Sequence, residues 1–289
     1  MAFGFGSRIT APTLLSAGGG GGGSLAALFG AGDNGYIFDG SLSRFYVDSG
    51  MTTLCADSGV DPVGAVEDVS GKGNHLLQTT TANKPIYRSA AGVQRAEAGY
   101  QSGTRRWLVC DNASFVGAEW IRWTRYIAYV RYEGFGALAG FIKNNNAING
   151  LYIVNTSQMQ SIIGSSGGTT LSAIDSNLEA VSAMKHIVEL YPSSPTSFHL
   201  SKAVNVPSAD LGNTGSGATN ASYPAYDPTA GSLSYMNGDI AYETLGAYYF
   251  TGSIREQIAF SFLINRVLTD EEQATVEAYI KSKFTGITR

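Results

Sequence analysis

The sequence predicts an all-β protein: two antiparallel sheets packed as a sandwich, one C-terminal helix, and an extended glycine-rich arm at the N-terminal end. Three observations predict it. The 289 residues include 36 glycines, 16 tyrosines and 13 phenylalanines, while only 15% are charged; glycine turns, aromatics and few charges suit strands better than helices. From Tyr36 onward, short strand-like runs alternate with turn clusters. Near the end, one long strand runs directly into one capped helix.

The arm is residues 1–35. Leu14-Leu15-Ser16-Ala17 leads into six glycines, Gly18 to Gly23, and then Ser24-Leu25-Ala26-Ala27-Leu28-Phe29-Gly30. Glycine is costly to order and buries no side chain, so this stretch cannot build a core of its own. It is either a disordered tail or a docking arm ordered by a neighbouring subunit, with Phe3, Phe5, Arg8, Leu14, Leu15, Leu25, Leu28 and Phe29 as its anchors.

The body is residues 36–289, long enough to bury roughly 75% of its unfolded surface. Strands are expected within 107–110, 120–132, 138–142, 151–154, 158–163, 169–174, 184–190, 197–204, 242–250 and 254–264. Turn clusters such as Asn144-Asn145-Asn146 and Pro192-Ser193-Ser194-Pro195 separate them. Residues 207–231, rich in Ser, Gly, Asn and Pro, read as a long loop. In the closing unit Thr269 caps a helix and Glu272, three residues on, reaches back to it. Val276, Tyr279, Ile280 and Phe284 make one apolar face that packs on a sheet.

A net charge of −4 offers no whole-molecule attraction to nucleic acid or anionic membranes. Cys55 and Cys110, each expected in a strand, are too few for a disulfide framework and read as free buried thiols. The first ten residues lack the charged start and apolar core of a secretory leader. No run approaches the ~20 apolar residues of a membrane helix. The expectation is manufacture in a cytoplasm.

Two segments carry a family resemblance. The first is Asp61-Pro62-Val63-Gly64, then Asp68-Val69-Ser70-Gly71-Lys72-Gly73-Asn74-His75, then Lys84-Pro85-Ile86-Tyr87-Arg88. The second is Gly252-Ser253-Ile254-Arg255-Glu256, then Arg266-Val267-Leu268-Thr269-Asp270-Glu271-Glu272. Together they resemble concanavalin A-like (laminin-G-like) jelly-roll domains, common in bacteriophage virion proteins and bacterial surface proteins, over about residues 36–286. The resemblance implies a jelly-roll body. With the glycine-rich start, the chain is similar to a phage structural protein: capsid decoration or a short appendage, located in the virion, made in the bacterial host cytoplasm. Its partners would be other virion proteins, further copies of itself and a host surface glycan. A free-standing carbohydrate-binding module or adhesin is the alternative, and a polysaccharide hydrolase a third.

Asp68, Gly71, Gly73, Asn74 and His75 read as a structural turn, since Gly71 and Gly73 tolerate positive φ while Asp68, Ser70 and Asn74 bond nearby backbone. Glu256 reads as a partner for groups near Arg255 or for a loop amide. Catalytic signals are weak. Glycosidases need paired carboxylates on one face; Asp239 and Glu243, four apart, are the nearest approach. Gly164-Ser165-Ser166-Gly167-Gly168 matches a nucleophile elbow, but a strand-like run follows where a helix is required. His75, His186 and His199 lack metal-ligand spacing. No cofactor or metal is expected, and no catalysis. One cluster interleaves arginines with aromatics: Trp120, Arg122, Tyr126 and Tyr132 alternate with Trp123, Arg125, Tyr129 and Arg131. Such a surface can stack sugars, so Trp120, Arg122, Trp123, Arg125, Tyr126 and Tyr132 are candidate glycan or partner contacts; a half-buried strand is the plainer account.

Overall fold

A computed structural model describes residues 24–101, 103–116, 118, 120, 122–143, 146–153, 158–163, 170–175, 181–190, 198–207, 221–222, 242–245 and 255–284. Phe3, Phe5, Arg8, Leu14, Leu15, the six-glycine run, Gly164 to Gly168 and Asp239 lie outside the described residues, as does most of the expected loop at 207–231. In chain order the strands begin with β1 (Gly35–Asp39), β2 (Phe45–Tyr46), β3 (Ala65–Val66), β4 (Leu76–Leu77), β5 (Ile86–Ala90), β6 (Val93–Gln101), β7 (Thr104–Arg106) and β8 (Leu108–Cys110). A one-turn helix, α1 (Ala113–Val116), separates these from β9 (Arg122–Glu133), β10 (Gly136–Lys143), β11 (Asn146–Ile153), β12 (Gln158–Ile163) and β13 (Thr170–Asp175). Then come β14 (Val181–Leu190), β15 (Phe198–Pro207), β16 (Ala221–Ser222), β17 (Tyr242–Leu245), β18 (Arg255–Ile264) and helix α2 (Asp270–Phe284).

Among the described residues these form two antiparallel sheets. The first runs β16-β15-β14-β9-β18-β6-β5, with β1 also on β18 and β7 on β6. The second runs β13-β12-β11-β10-β17-β8-β4-β3-β2. Strand β18 is the axis of the first sheet. Its one edge pairs with β9, while the other is shared, β6 taking residues 255–258 and β1 taking 260–264. Gly40 sits at the handover, donating to Ala259 O and accepting from Gln94 N, both at 2.8 Å. A Cβ there would stand 2.0 Å from Gln94 O, so only glycine lets the backbones approach this closely.

Both faces of β1 are covered, which is why all five of its residues are buried. Tyr36 and Phe38 point between the sheets, where Phe38 meets Phe45 edge-on at 5.4 Å and Phe45 meets Tyr87 at 5.6 Å. Ile37 points outward into a second core, built with Tyr126, Phe260, Phe262 and Ile264 of the sheet and Val276, Ile280 and Phe284 of α2. The helix starts as its sequence predicts. The Thr269 Oγ1 accepts from Glu272 N at 3.3 Å, and Glu272 Oε2 accepts from Thr269 N at 2.9 Å. Tyr279 is half-buried and its hydroxyl donates to the buried Asp39, tying helix to β1. Phe262 lies at the centre of this layer, 5.5 Å from Phe29 and 6.2 Å from Tyr126 between ring centroids. Truncating Phe262 to alanine therefore lowers unfolding free energy by about 3–5 kcal/mol in urea denaturation; a loss under about 1 kcal/mol would mean the helix layer contributes little.

Residues 47–63 close one side of the sandwich. They pair back onto β2 (Val47 N to Thr53 O, Cys55 N to Phe45 O) and also run along the free edge of β5 (Gly59 N to Tyr87 O, Tyr87 N to Asp61 O). Cys55 lies in this loop rather than in a strand, half-buried and with its thiol pushed up to about 12, chiefly by burial. Cys110 is in β8 and buried. Neither cysteine is in a disulfide.

Candidate functional site

The two motifs that carry the family resemblance meet at one end of the molecule. Asp68 is the hub of the first. Its Oδ1 accepts from the N–H of Ile37 (2.9 Å) and Ser70 (2.8 Å), and its Oδ2 from the Ser70 hydroxyl (2.8 Å) and Asn74 N–H (2.9 Å). Gly71 and Gly73 have φ of +84° and +72° with open space around them, so backbone angle and not room selects glycine. His75 Nδ1 accepts from Asp68 N at 3.1 Å. Asn74 Nδ2 donates to Asn34 Oδ1 (2.8 Å) and Gly35 O (2.6 Å), and Lys72 Nζ donates to Gly30 O (2.7 Å). From the second motif, Arg266 donates to Glu272 (2.6 and 2.8 Å), Asp33 (3.0 Å) and Leu28 O (2.7 Å). Both motifs thus grip residues 28–35. From the turn, Lys72 and Asn74 make this grip, while Asp68, Ser70 and His75 bond within the turn and to Ile37.

That clamp moves the boundary of the arm. Leu25, Leu28 and Phe29, expected as anchors for a neighbouring subunit, belong to the chain's own outer core beside α2. A 3-10 turn at Leu25–Leu28, capped by the Ser24 hydroxyl, lays them on the sheet. The apolar side chains of this segment are thus buried within the same chain, against the sheet and α2.

The arginine–aromatic run of β9 also needs correction. Trp120, Trp123, Arg125 and Tyr126 are 0% exposed and present no contact surface. Trp120 precedes the strand and escapes its alternation: it lies with Trp123 against Phe141, at 5.1 and 5.3 Å. The Arg125 guanidinium stacks 4.9 Å over the same ring. Tyr126 faces α2, its hydroxyl donating to Glu277 at 3.1 Å; burial and then the Glu277 charge push its pKa well above the usual tyrosine value. The Arg122 side chain lies outside the described residues. Tyr132 is half-buried, with the Arg255 guanidinium 5.4 Å above its ring. Of the described residues of the strand, Trp123 and Arg125 lie against Phe141 and Tyr126 against α2.

Tyr132 leads to a cluster that sequence reasoning missed. On the outer face of the first sheet, at the end α2 does not cover, Glu97 of β6 holds two arginines. Arg88 of β5 donates to it at 2.6 Å, and Arg255 of β18 at 2.7 and 2.9 Å. Gln257 adds a bond from Nε2 at 3.3 Å. Glu97 is 1% exposed. Burial opposes its ionisation, but the two guanidiniums outweigh that and hold its pKa below the ordinary range. Arg95, also buried, stands in register with Arg88.

Alternation along β18 turns Glu256 to the opposite side, between the sheets. It is 0% exposed and neither carboxylate oxygen has a hydrogen-bond partner, so the expected bond to a loop amide or basic group is not made. Burial, and secondarily the charge of Glu97, push its pKa up to about 8. Glu243 lies in β17. The residues around Gly164 to Gly168 join the antiparallel pair β12 and β13, so a strand follows where a nucleophile elbow needs a helix. His186 and His199 sit on the adjacent strands β14 and β15, apart from His75. Among the described residues no three His, Cys, Asp or Glu side chains group as metal ligands.

No protein-family model and no curated protein matches the chain. Solved structures do share its fold. The binding domain of botulinum neurotoxin serotype G matches with a TM-score of 0.51 at 10% identity, over 86% of this chain and 53% of that one. A Trypanosoma rangeli sialidase in complex with sialic acid matches at 0.43 and 14%, over 86% and 33%. A GH54 α-L-arabinofuranosidase matches at 0.47 and 13%, over 77% and 51%. The chain thus spans about half or less of the length of these proteins. At such identities the likeness defines a class of architecture, the β-sandwich, and nothing finer.

Proposed function

We propose that the chain is a non-catalytic accessory structural protein of a bacteriophage particle, a capsid decoration or short appendage. Its body is a jelly-roll display module, and residues before Ser24 dock it to other virion proteins or to further copies. The observation that supports this is the clamp. Asn74, Lys72 and Arg266 fasten residues 28–35, with Asp68 holding the turn to Ile37 and Glu272 holding Arg266, which gives whatever precedes Ser24 a fixed point of departure. A catalytic domain would be expected to aim such polar groups at a substrate; here they hold the chain's own leader. Copies would be made in the host cytoplasm and reside in the virion.

Deletion of residues 1–23 is the test. The truncated chain keeps its melting temperature within about 2 °C, because no described core residue is removed, yet fails to enter particles or oligomers. Normal incorporation of the truncated chain would overturn the docking role.

A further inference from the structure

The outer face around Glu97 carries more than a salt bridge. Three strands bring a row of residues into register: Arg106 of β7 opposite Gly99 of β6, and Gly99 opposite Arg255 of β18. The two arginines are thus two strand spacings apart, roughly 10 Å, with a side-chain-free position between them. One row over lie Glu97 and Gln257. Among the described side chains of this face, Arg88, Arg95, Arg106 and Arg255 stand around Glu97.

Two polar atoms here have no partner. The Oε1 of Gln257, a residue 4% exposed, accepts no hydrogen bond, because its Nε2 is turned toward Glu97. The buried Nε of Arg106 donates to nothing. A buried orphan costs about 1–3 kcal/mol, and an orphan donor on β7 with an orphan acceptor on β18, one strand between them, describes the complement they lack. Arg88 and Arg255, whose side chains are 31% and 25% exposed, form the rim over them. Tyr132 supplies a ring at the side.

We propose that this face binds an acidic sugar, its carboxylate on the guanidiniums of Arg106 and Arg255 and a hydroxyl donating to Gln257 Oε1. A carboxylate suits the planar fork of arginine. A hydroxyl is needed because Gln257 Oε1 can only accept. The edge of the pyranose ring packs on Tyr132, as apolar sugar faces do on aromatics. This site rests on the display role only for the source of the sugar, a host surface glycan; binding itself is a property of the isolated chain.

Titration of the purified full chain with glucuronate, followed by amide chemical shifts at low ionic strength, tests it. Saturable binding is expected, weakened about tenfold or more by Gln257→Leu and by Arg255→Gln, and weakened by salt. Glucose and acetate, each carrying half of the required chemistry, bind about tenfold less tightly or worse. Should Arg255→Gln lower the melting temperature, Gln257→Leu, which removes no charge, still decides. Equal binding of acetate, equal binding of glucose, or no saturation at 50 mM (roughly the weakest useful range) each overturns the site. Particle incorporation is read separately, so failure here leaves the docking role standing, and the reverse.

Discussion

Replacing Glu256 by glutamine flattens the dependence of stability on pH between about 5 and 8. The carboxyl of the native protein is sealed between the sheets without a donor, and its pKa is pushed up to about 8 from 4.5. Below pH 4.5 it is protonated whether the chain is folded or not, and it imposes no penalty. Between 4.5 and 8 the unfolded chain gives up the proton while the folded one keeps it, so folded stability declines as pH rises. The total loss is on the order of 5 kcal/mol. Glutamine has no proton to lose. The groups with depressed pKa values, Glu97, Glu67 and Glu272, act in the other direction and at lower pH, where they lose stability as the solution is acidified. Urea denaturation at pH 5, 7 and 9 separates the two windows. Parallel profiles for the wild type and Glu256→Gln would show that the carboxyl finds a partner in solution.

The second large effect is at Asp68. Its two oxygens accept four hydrogen bonds, three of them from backbone N–H groups of Ile37, Ser70 and Asn74. Alanine leaves those donors buried without acceptors, and each such donor costs about 1–3 kcal/mol. Asp68→Ala is therefore expected to lower stability by roughly 4 kcal/mol and to release residues 28–35 from the sheet, which faster amide exchange at Gly35 and Ile37 would report. Asp68→Asn keeps part of the acceptor set and falls between. If Asp68→Ala unfolds with less than about 1 kcal/mol of loss, the turn is not the clamp described here.

Much of the second half of the chain was legible because its strands are continuous and apolar. Ile254 to Ile264 reads as a strand from composition, and Thr269 with Glu272 marks the helix start without ambiguity. The first half was harder for specific reasons. Strand β6, Val-Gln-Arg-Ala-Glu-Ala-Gly-Tyr-Gln, is built from residues with weak strand preference, and it is a strand because β5 and β18 flank it. Strands β2, β3 and β4 have two residues each, too short for any periodicity. Leu25, Leu28 and Phe29 looked like part of a tail because glycines precede them; the groups that fasten that segment, Lys72 and Arg266, lie far along the chain. The Glu97 cluster had no sequence signal, since Arg88, Glu97 and Arg255 meet only once the order β5-β6-β18 is known. Glu256 was visible as a residue of a motif, but its isolation depends on what surrounds it.

The loop at residues 47–63 has a consequence for how copies of this protein live together. Exposed strand borders are where sheet proteins fuse into fibrils, and this single segment occupies two such borders at once. Two copies of this chain cannot zip together along that flank.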